Sequence, residues 1–362
     1  MHILHVVGAR PNFMKAAPLL RAVAQYPHVR QTLVHTGQHY DAGMSGIFFD
    51  QLGMPAPDVN LSVGSGSHAQ QTAEVMTRLE PVILDRKPDW VVVYGDVNST
   101  LAAALVCAKL GVRVAHVEAG LRSRDRSMPE EINRLVADQL SDLLFTPSPD
   151  ANDNLLGEGI LKEKIHLVGN VMIDSLVRCM PQAKPASGLG SFALVTLHRP
   201  SNVDNLPWLR EMLIALLEVG REMPVVFPVH PRTQSRIEEL ALVPAGDRLR
   251  LGPPMPYLEF LGLQRAARVV ITDSGGIQEE TSYLGVPCLT VRENTERPIT
   301  MTMGTNKLVG RDIPRLRGEL QRVLESPLPE ARAIPLWDGH AAERIAAILT
   351  QHDSERPPSA QN

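Results

Sequence analysis

Residues 271–280, Ile-Thr-Asp-Ser-Gly-Gly-Ile-Gln-Glu-Glu, run from an apolar strand through a Ser-Gly-Gly turn directly into a helix. Glycine leaves backbone N–H groups bare at such a turn, and the positive end of the helix dipole adds to them, so the turn can hold a diphosphate. Glu280 lies one helical turn beyond Gly276, close enough for its carboxylate to accept hydrogen bonds from a ribose diol. The alternative is a Gly-rich turn before an ordinary amphipathic helix.

Short apolar runs alternate with longer helical stretches along the chain, a pattern typical of parallel sheets covered by helices on both faces. The first half predicts strands at residues 3–7, 32–35, 90–94, 112–117, 143–145 and 165–168, with helices at 14–25, 69–85, 100–110 and 131–138. The second half predicts strands at 192–197, 225–229, 249–251, 269–272, 288–291 and 307–309, with helices such as 206–221 and 339–349. We therefore expect an α/β fold of two doubly wound, Rossmann-like domains facing a central cleft, with ligands at the carboxyl ends of the strands.

A chain of 362 residues is longer than one compact core usually holds. Residues 181–190 are rich in Pro, Ala, Ser and Gly, a composition suited to an exposed hinge. We predict an N-terminal domain over residues 1–180 and a C-terminal domain over 191–337. A helix over 338–352 is expected to pack back toward the N-terminal domain, and residues 353–362 are expected to be a disordered tail.

Charge and composition exclude several classes of protein. The 36 Lys and Arg residues against 40 Asp and Glu give a net charge of −4, which leaves no global positive field for nucleic acid. The three Cys residues form no CxxC pair, so neither a disulfide framework nor a zinc site is supported. No apolar run approaches the roughly 20 residues of a membrane helix, and the apolar N-terminal run is too short for a signal peptide. We expect a cytoplasmic protein that binds neither nucleic acid nor membrane.

The loop after the first strand, residues 8–15, reads Gly-Ala-Arg-Pro-Asn-Phe-Met-Lys. Its glycine and its two cations, Arg10 and Lys15, suit a phosphate; the alternative is a solvated Arg and a snorkelling Lys at an ordinary turn. The GxGxxG fingerprint is absent, and residues 35–39, His-Thr-Gly-Gln-His, supply no acid after the second strand. We therefore expect no nicotinamide cofactor.

Three acidic residues follow predicted strands or open a helix in the first half. Asp96 lies just beyond the third strand, where helix capping is the alternative role, and Glu118 follows the next strand, where Glu is a poor cap. Glu130 follows Pro129 in a first helical turn, where a favourable helix-dipole interaction is the alternative. Because crowded carboxylates raise the pKa of one another, the three are candidate proton carriers.

Two strands of the second half end in histidine followed closely by arginine. His198 directly precedes Arg199, and His230 is followed by Pro231 and Arg232. This repetition favours an anion site, since arginine makes forked contacts with phosphate, and no regular third ligand supports a metal. Residues 255–260, which end in Phe260, can supply an aromatic face for a base, with plain core as the alternative, and Arg297 adds a cation.

These motifs together resemble the non-hydrolysing UDP-N-acetylglucosamine 2-epimerases, a family of glycosyltransferase-B architecture. The resemblance spans nearly the whole chain, and its signatures occur in order at residues 8–15, 37–39, 95–96, 116–122, 129–134, 198–199, 272–280 and 295–298. The family implies that UDP leaves carbon 1 of the sugar while a carboxylate removes the carbon 2 proton, forming a 2-acetamidoglucal to which UDP adds back. No cofactor is required.

Residue roles follow from the resemblance, position by position. The acid–base and charge-stabilising carboxylates fall on Asp96, Glu118 and Glu130, with His198 as the catalytic histidine beside the diphosphate. The phosphate and substrate contacts are implied at Arg10, Lys15 and Arg134. The remaining nucleotide-binding positions, including an aromatic residue against uracil, are His230, Phe260, Ser274, Gly275, Gly276, Glu280 and Arg297.

The sequence departs from the family at two places. Many members read His-Arg-Arg-Glu-Asn where residues 198–202 here read His-Arg-Pro-Ser-Asn, so we do not carry over a substrate contact from that loop. Some members are activated by a second substrate molecule through an Arg where this chain has Glu74, and we expect that regulation to be absent.

The resemblance implies an isomerase that interconverts UDP-N-acetylglucosamine and UDP-N-acetylmannosamine for cell-envelope polysaccharide. The alternatives are a 2-epimerase of a diacetamido-uronate UDP-sugar, a glycosyltransferase of the same fold, and a nucleotide-sugar sensor without turnover. Because family members are commonly dimers, we expect a homodimer.

Overall fold

The computed structural model describes residues 1–37, 51–184, 188–240, 248–327 and 333–354. The chain divides into two compact units, Met1–Arg178 with Pro335–Asn362, and Cys179–Ile334. The hinge predicted at residues 181–190 stays a prediction, since 185–187 lie outside the described residues. Most of the predicted tail, residues 355–362, lies outside them as well.

The first unit is built on a seven-stranded sheet in the order β3-β2-β1-β4-β5-β6-β7, with every described pairing parallel. Its strands are β1 (His2–Val7), β2 (Arg30–His35), β3 (Val59–Asn60), β4 (Trp90–Tyr94), β5 (Arg113–Val117), β6 (Leu143–Thr146) and β7 (Ile165–Leu167). Its helices, in chain order, are α1 (Arg10–Val23), α2 (His68–Arg86), α3 (Asn98–Leu110), α4 (Pro129–Leu140), α5 (Pro149–Gly157) and α6 (Val171–Cys179). The central strand β4, Trp-Val-Val-Val-Tyr, is buried throughout, as expected for a parallel strand covered on both faces.

The second unit is built on a six-stranded parallel sheet in the order β10-β9-β8-β11-β12-β13. Its strands are β8 (Ala193–Thr196), β9 (Val225–Pro228), β10 (Leu249–Gly252), β11 (Val269–Thr272), β12 (Cys288–Thr290) and β13 (Asn306–Leu308). Its helices are α7 (Pro200–Val203), α8 (Leu206–Glu222), α9 (Pro231–Glu239), α10 (Tyr257–Ala266), α11 (Gly275–Leu284), α12 (Ile299–Thr302) and α13 (Ile313–Glu325). Separate apolar clusters fill the two faces of this sheet, so the prediction of doubly wound α/β units is confirmed.

The last described helix, α14 (Ala341–Ser354), belongs to the first unit. The carboxylate of Asp174 accepts hydrogen bonds from the backbone N–H groups of Ala341 and Ala342 at 3.1 and 2.7 Å. The indole of Trp337, just before the helix, donates to the carbonyl of Pro147 at 2.9 Å. These contacts fix the start of α14 on the first unit.

Each sheet has one switch point, where the chain finishes one side of the sheet and begins the other. It lies between β1 and β4 in the first unit and between β8 and β11 in the second. Ligands of open α/β sheets bind beside the carboxyl ends of the strands at such points. Within the described residues, none of the helices combines the length and the apolar character needed to cross a membrane.

Candidate functional site

The loop after β1 is held by its own side chains. Asn12 Oδ1 accepts hydrogen bonds from the N–H groups of Gly8 and Ala9 at 2.9 and 3.2 Å, and its Nδ2 donates to the carbonyl of Tyr94 on β4. Arg10 begins α1, with Pro11 in the first turn. Because two of the loop amides already have a partner, this turn is a weaker phosphate cradle than its sequence predicts.

Lys15 and Glu118 form a buried ion pair at the carboxyl ends of β4 and β5. Lys15 Nζ donates to Glu118 Oε1 at 2.6 Å, and the two side chains are only 5% and 3% exposed. Glu118 has a left-handed backbone, with φ of 71°, a conformation that costs a non-glycine residue about 1 kcal/mol or more. Backbone strain of this kind is typical of functional sites.

Asp96 binds an arginine of α4. Arg134 donates to Asp96 Oδ2 from Nε at 3.0 Å and from Nη2 at 2.7 Å. The capping alternative for Asp96 is wrong, because α3 begins two residues later and Val97 is its N-cap residue. The Asp96 carboxylate is about one quarter exposed, so it can also meet a ligand.

Glu130 and Glu131 both lie in the first turn of α4 but have different surroundings. Glu131 is buried. Its carboxylate accepts hydrogen bonds from the backbone N–H groups of Ser123 and Arg124, and it forms an ion pair with Arg134. Burial opposes its ionisation, but these donors outweigh burial and lower the pKa of Glu131. Glu130 is half-buried and has no hydrogen-bond partner among the described residues. Of the two carboxylates, Glu130 is therefore the more accessible to a ligand.

Behind these acids lies a buried network that the sequence patterns did not single out. His116 Nδ1 lies 2.7 Å from Asp138 Oδ1, and His116 Nε2 lies 2.7 Å from the carbonyl oxygen of Gly95. Asp138 Oδ2 accepts from Gly120 N at 3.1 Å and from Arg122 at 2.7 Å. The sequence did contain one signal for this network. Three charged residues lie on one face of α4, where a helix packed against a sheet is normally apolar: Glu131, Arg134 and Asp138.

The second unit places its histidines at the carboxyl ends of neighbouring strands. His198 Nδ1 lies 3.0 Å from Asp273 Oδ1, and the rings of His198 and His230 are 6.0 Å apart. Burial opposes ionisation of Asp273, but hydrogen bonds from His198, the Arg199 amide and Asn202 outweigh it and lower the pKa of Asp273. The side chain of His198 is 41% exposed, so the histidine is anchored on one nitrogen and open to a ligand.

Gly275 and Gly276 form the first residues of α11, after Ser274 at the N-cap. The Ser274 side chain makes no capping hydrogen bond, so it leaves the amides of the first turn for a ligand. A Cβ on Gly275 would lie 2.6 Å from Arg297 Nη1, which explains the glycine. Arg297 in turn pairs with Glu279 at 2.8 Å and with Glu296 at 2.5 Å.

The predicted ribose and base contacts lie on the same helix and its neighbour. Glu280 Oε1 accepts a hydrogen bond of 2.8 Å from the Tyr257 hydroxyl, and both side chains are buried. Phe260, on α10, is half-buried and packs against the apolar cluster that contains Leu194 and Val270. Phe260 thus remains partly exposed.

The two carboxyl edges therefore have different chemical capabilities. The edge of the first unit concentrates carboxylates, two of which are oriented by cations, and such groups can take and return protons and stabilise developing positive charge. The edge of the second unit has an uncapped helix N-terminus, histidines and arginines, which suit an anion such as a diphosphate.

Known proteins of one family match this chain. The family model described as UDP-N-acetylglucosamine 2-epimerase covers residues 21–350. A UDP-2,3-diacetamido-2,3-dideoxy-D-glucuronate 2-epimerase of Pseudomonas aeruginosa is 46% identical over 357 residues, 97% of this chain and 100% of the relative. A UDP-N-acetylglucosamine 2-epimerase of Methanococcus maripaludis is 41% identical over 359 residues, 95% of this chain and 97% of the relative.

Solved structures of similar sequence have the same fold. The crystal structure of Methanocaldococcus jannaschii UDP-GlcNAc 2-epimerase in complex with UDP-GlcNAc and UDP superimposes with a TM-score of 0.89 at 40% identity, covering 97% of this chain and 100% of that chain. The Neisseria meningitidis UDP-GlcNAc 2-epimerase bound to UDP-GlcNAc also gives a TM-score of 0.89, at 29% identity, with 97% and 100% coverage.

Proposed function

Because the chain belongs to the UDP-N-acetylglucosamine 2-epimerase family, we propose that it interconverts UDP-N-acetylglucosamine and UDP-N-acetylmannosamine. The observation that carries this proposal is that one chain contains both a carboxylate-rich strand edge, with Asp96 and Glu118, and a strand edge suited to an anion, around Ser274 and Gly275. An epimerase that breaks and remakes a sugar–diphosphate bond needs both kinds of group.

The chemistry follows from the substrate. Carbon 2 bears an acetamido group and has no adjacent carbonyl, so its proton is not acidic enough for simple removal and return. We propose that the bond from carbon 1 to oxygen breaks and its electron pair leaves with UDP. A carboxylate takes the carbon 2 proton, and a double bond forms between carbons 1 and 2. UDP then adds back to carbon 1 while carbon 2 receives a proton on the opposite face.

The first unit supplies the proton-transfer groups in this proposal. Asp96, Glu118 and Glu130 exchange the carbon 2 proton and stabilise the positive charge that develops at carbon 1. The buried ion pair with Lys15 supports an anionic role for Glu118. Arg10, Lys15 and Arg134 remain the proposed substrate contacts of this unit.

The second unit holds the leaving group. The first-turn amides of α11 bind the diphosphate, and His198, held by Asp273, lies beside the bond that breaks. Glu280 accepts hydrogen bonds from the ribose. The further contacts with the nucleotide that we propose are His230, Phe260, Ser274, Gly275, Gly276 and Arg297.

A second substrate is favoured by one comparison. The Pseudomonas aeruginosa relative, at 46% identity, is named as a 2-epimerase of a diacetamido-glucuronate UDP-sugar. The chain also has Pro200 and Ser201 where many epimerases of the family have Arg and Glu. The same elimination and re-addition serve either sugar.

We further propose a cytoplasmic homodimer that feeds cell-envelope polysaccharide. Three buried free cysteines among the described residues suit a reducing compartment. Size-exclusion chromatography with light scattering tests the dimer.

The reaction is tested without any acceptor, in heavy water. Purified protein is incubated with UDP-N-acetylglucosamine and, separately, with the diacetamido-glucuronate UDP-sugar. We expect the 2-epimer with deuterium at carbon 2, and the ratio of kcat/KM for the two sugars identifies the preferred one. Turnover that requires an added acceptor would instead favour a glycosyltransferase, and UDP binding without turnover of either sugar would favour a sensor.

A further inference from the structure

His116 and Asp138 connect the two strand ends that carry Asp96 and Glu118. His116 Nε2 reaches the carbonyl oxygen of Gly95, which directly precedes Asp96. Asp138 accepts from the amide of Gly120, two residues beyond Glu118, while its other oxygen faces His116. One buried carboxylate therefore fixes both turns, one of them through the histidine.

The turn at Gly95 depends on this connection. Its N–H donates to the carbonyl of Val117 on β5 at 2.9 Å, and its carbonyl receives the His116 ring. Gly95 has φ of 60°, and a Cβ there would lie 2.6 Å from Lys15 Nζ. The backbone before Asp96 is thus held at both polar atoms and tightly packed.

The ring of His116 has an acceptor at each nitrogen. A backbone carbonyl oxygen can only accept, so His116 donates from Nε2 to Gly95, while its Nδ1 faces the carboxylate of Asp138. Burial opposes ionisation of Asp138, but His116 and Arg122 outweigh it and lower the pKa of Asp138. Arg122 also forms an ion pair with Glu158 at 2.6 Å.

We propose that Asp138 and His116 form a positioning pair that sets the orientation of Asp96 and Glu118 for proton transfer, an inference that rests on the proposed function. Neither residue needs to touch the substrate. Displacement of a reacting group by about 1 Å can cost on the order of a hundredfold in rate, so this pair should matter for turnover and not for nucleotide binding.

The test compares Asp138→Asn with Asp142→Asn. Asp142 Oδ2 accepts from the Val114 amide at 2.9 Å, so it makes the same kind of carboxylate–amide bond to β5 but at the amino end of the strand. We expect Asp138→Asn to lower kcat by roughly ten- to a hundredfold with UDP affinity unchanged. The Asp142→Asn control should keep kcat, whatever its thermal stability.

A second pair of variants separates positioning from general stability. His116→Gln, which can still donate to Gly95, should retain more kcat than His116→Ala, and this pair also serves if Asp138→Asn does not fold.

Several outcomes would overturn the positioning pair. They are wild-type kcat in Asp138→Asn, a parallel loss of kcat in Asp142→Asn, or equal kcat in His116→Gln and His116→Ala. Absence of epimerisation by the wild-type protein would contradict the proposed function instead, so the two failures are distinguishable.

Discussion

At the switch point of the first sheet, between β1 and β4, the loop amides donate to Asn12 and the cation Lys15 is paired with Glu118. At the switch point of the second sheet, between β8 and β11, the first turn of α11 has no side-chain cap, and Arg297 lies against Gly275. The six strands of the second sheet follow the same order as the first six of the other. One topology therefore supports two kinds of site, and the loop side chains decide which.

The aspartates that follow the equivalent strands β4 and β11 make the same point. Asp96 is partly exposed and bound by Arg134, whereas Asp273 is fully buried and orients His198. The first can reach a substrate, and the second acts through the histidine. We infer that the first unit performs the proton chemistry and the second holds the nucleotide.

The largest expected effect separates turnover from binding in the first unit. Asp96→Asn, Glu118→Gln and Glu130→Gln should each lower kcat by at least about a hundredfold, because each removes a proton-transfer group, with UDP affinity near that of the wild type. Steady-state kinetics and UDP titration calorimetry measure the two quantities. Glu163→Gln, an exposed site before β7, is the matched control. Wild-type rates in all three variants would remove the catalytic assignment.

At the switch point of the second sheet, a substitution is expected to weaken UDP binding instead. Gly275→Ala places a Cβ 2.6 Å from Arg297 Nη1 and 2.9 Å from Glu296 Oε1, so the ion-paired side chains of Arg297 and Glu296 must be displaced at the first turn of α11. We expect the UDP dissociation constant to rise by on the order of tenfold, the equivalent of about 1.4 kcal/mol. Normal UDP binding by Gly275→Ala would contradict the inference that the second unit holds the nucleotide.

Gly318→Ala in α13 is the control for that substitution, since no atom lies within 4 Å of the added Cβ. It should leave UDP affinity unchanged and raise the free energy of unfolding by about 0.4 to 1 kcal/mol through the entropy of the unfolded chain.

A smaller effect tests the proposed contact between Glu280 and the ribose. Tyr257→Phe removes the hydroxyl that donates to Glu280, so the carboxylate is less well oriented toward a ribose. One hydrogen bond contributes about 0.5–1.5 kcal/mol, so UDP affinity should fall by a few-fold with kcat little changed. The loss should disappear with a dideoxyribose analogue of UDP. An equal loss for both nucleotides would contradict the ribose contact.

The last prediction concerns stability, not activity, and involves the pH dependence of unfolding and Asp174. Burial raises the pKa of Asp174 to about 6 from 3.8, so the folded state binds this proton more tightly than the unfolded state. The stabilisation is complete below 3.8 and is lost as the pH rises through about 6, a change of at most about 3 kcal/mol. In thermal unfolding experiments, the melting temperature of Asp174→Asn should depend less steeply on pH over this range than that of the wild type. Identical slopes in both proteins would contradict the assignment.

The architecture was predictable because apolar β-branched runs and helical periodicity are local signals. Strand 90–94 and strand 269–272 are found with the predicted bounds, whereas β3, only two residues long, carries too little pattern to detect. The predicted helix at 14–25 begins earlier, at Arg10, because Pro11 is favoured in a first turn.

The site was only partly predictable, because its decisive contacts join distant residues. Lys15 and Glu118 are 103 residues apart, and no local pattern shows that the lysine pairs with that acid. Asp96 has the local preference of a cap, but the helix begins after Val97 and leaves its carboxylate to Arg134. Of the family signature at residues 37–39, Gln38 and His39 lie outside the described residues.

The most direct test follows the bond between carbon 1 and the diphosphate. UDP-N-acetylglucosamine is prepared with a heavy oxygen isotope in that bridging position and incubated with the wild-type protein, and phosphorus NMR of the recovered substrate locates the label. If the bond breaks and UDP adds back, the label spreads from the bridge to the non-bridging oxygens of the β-phosphate. Formation of the 2-epimer with the label still confined to the bridge would contradict the account.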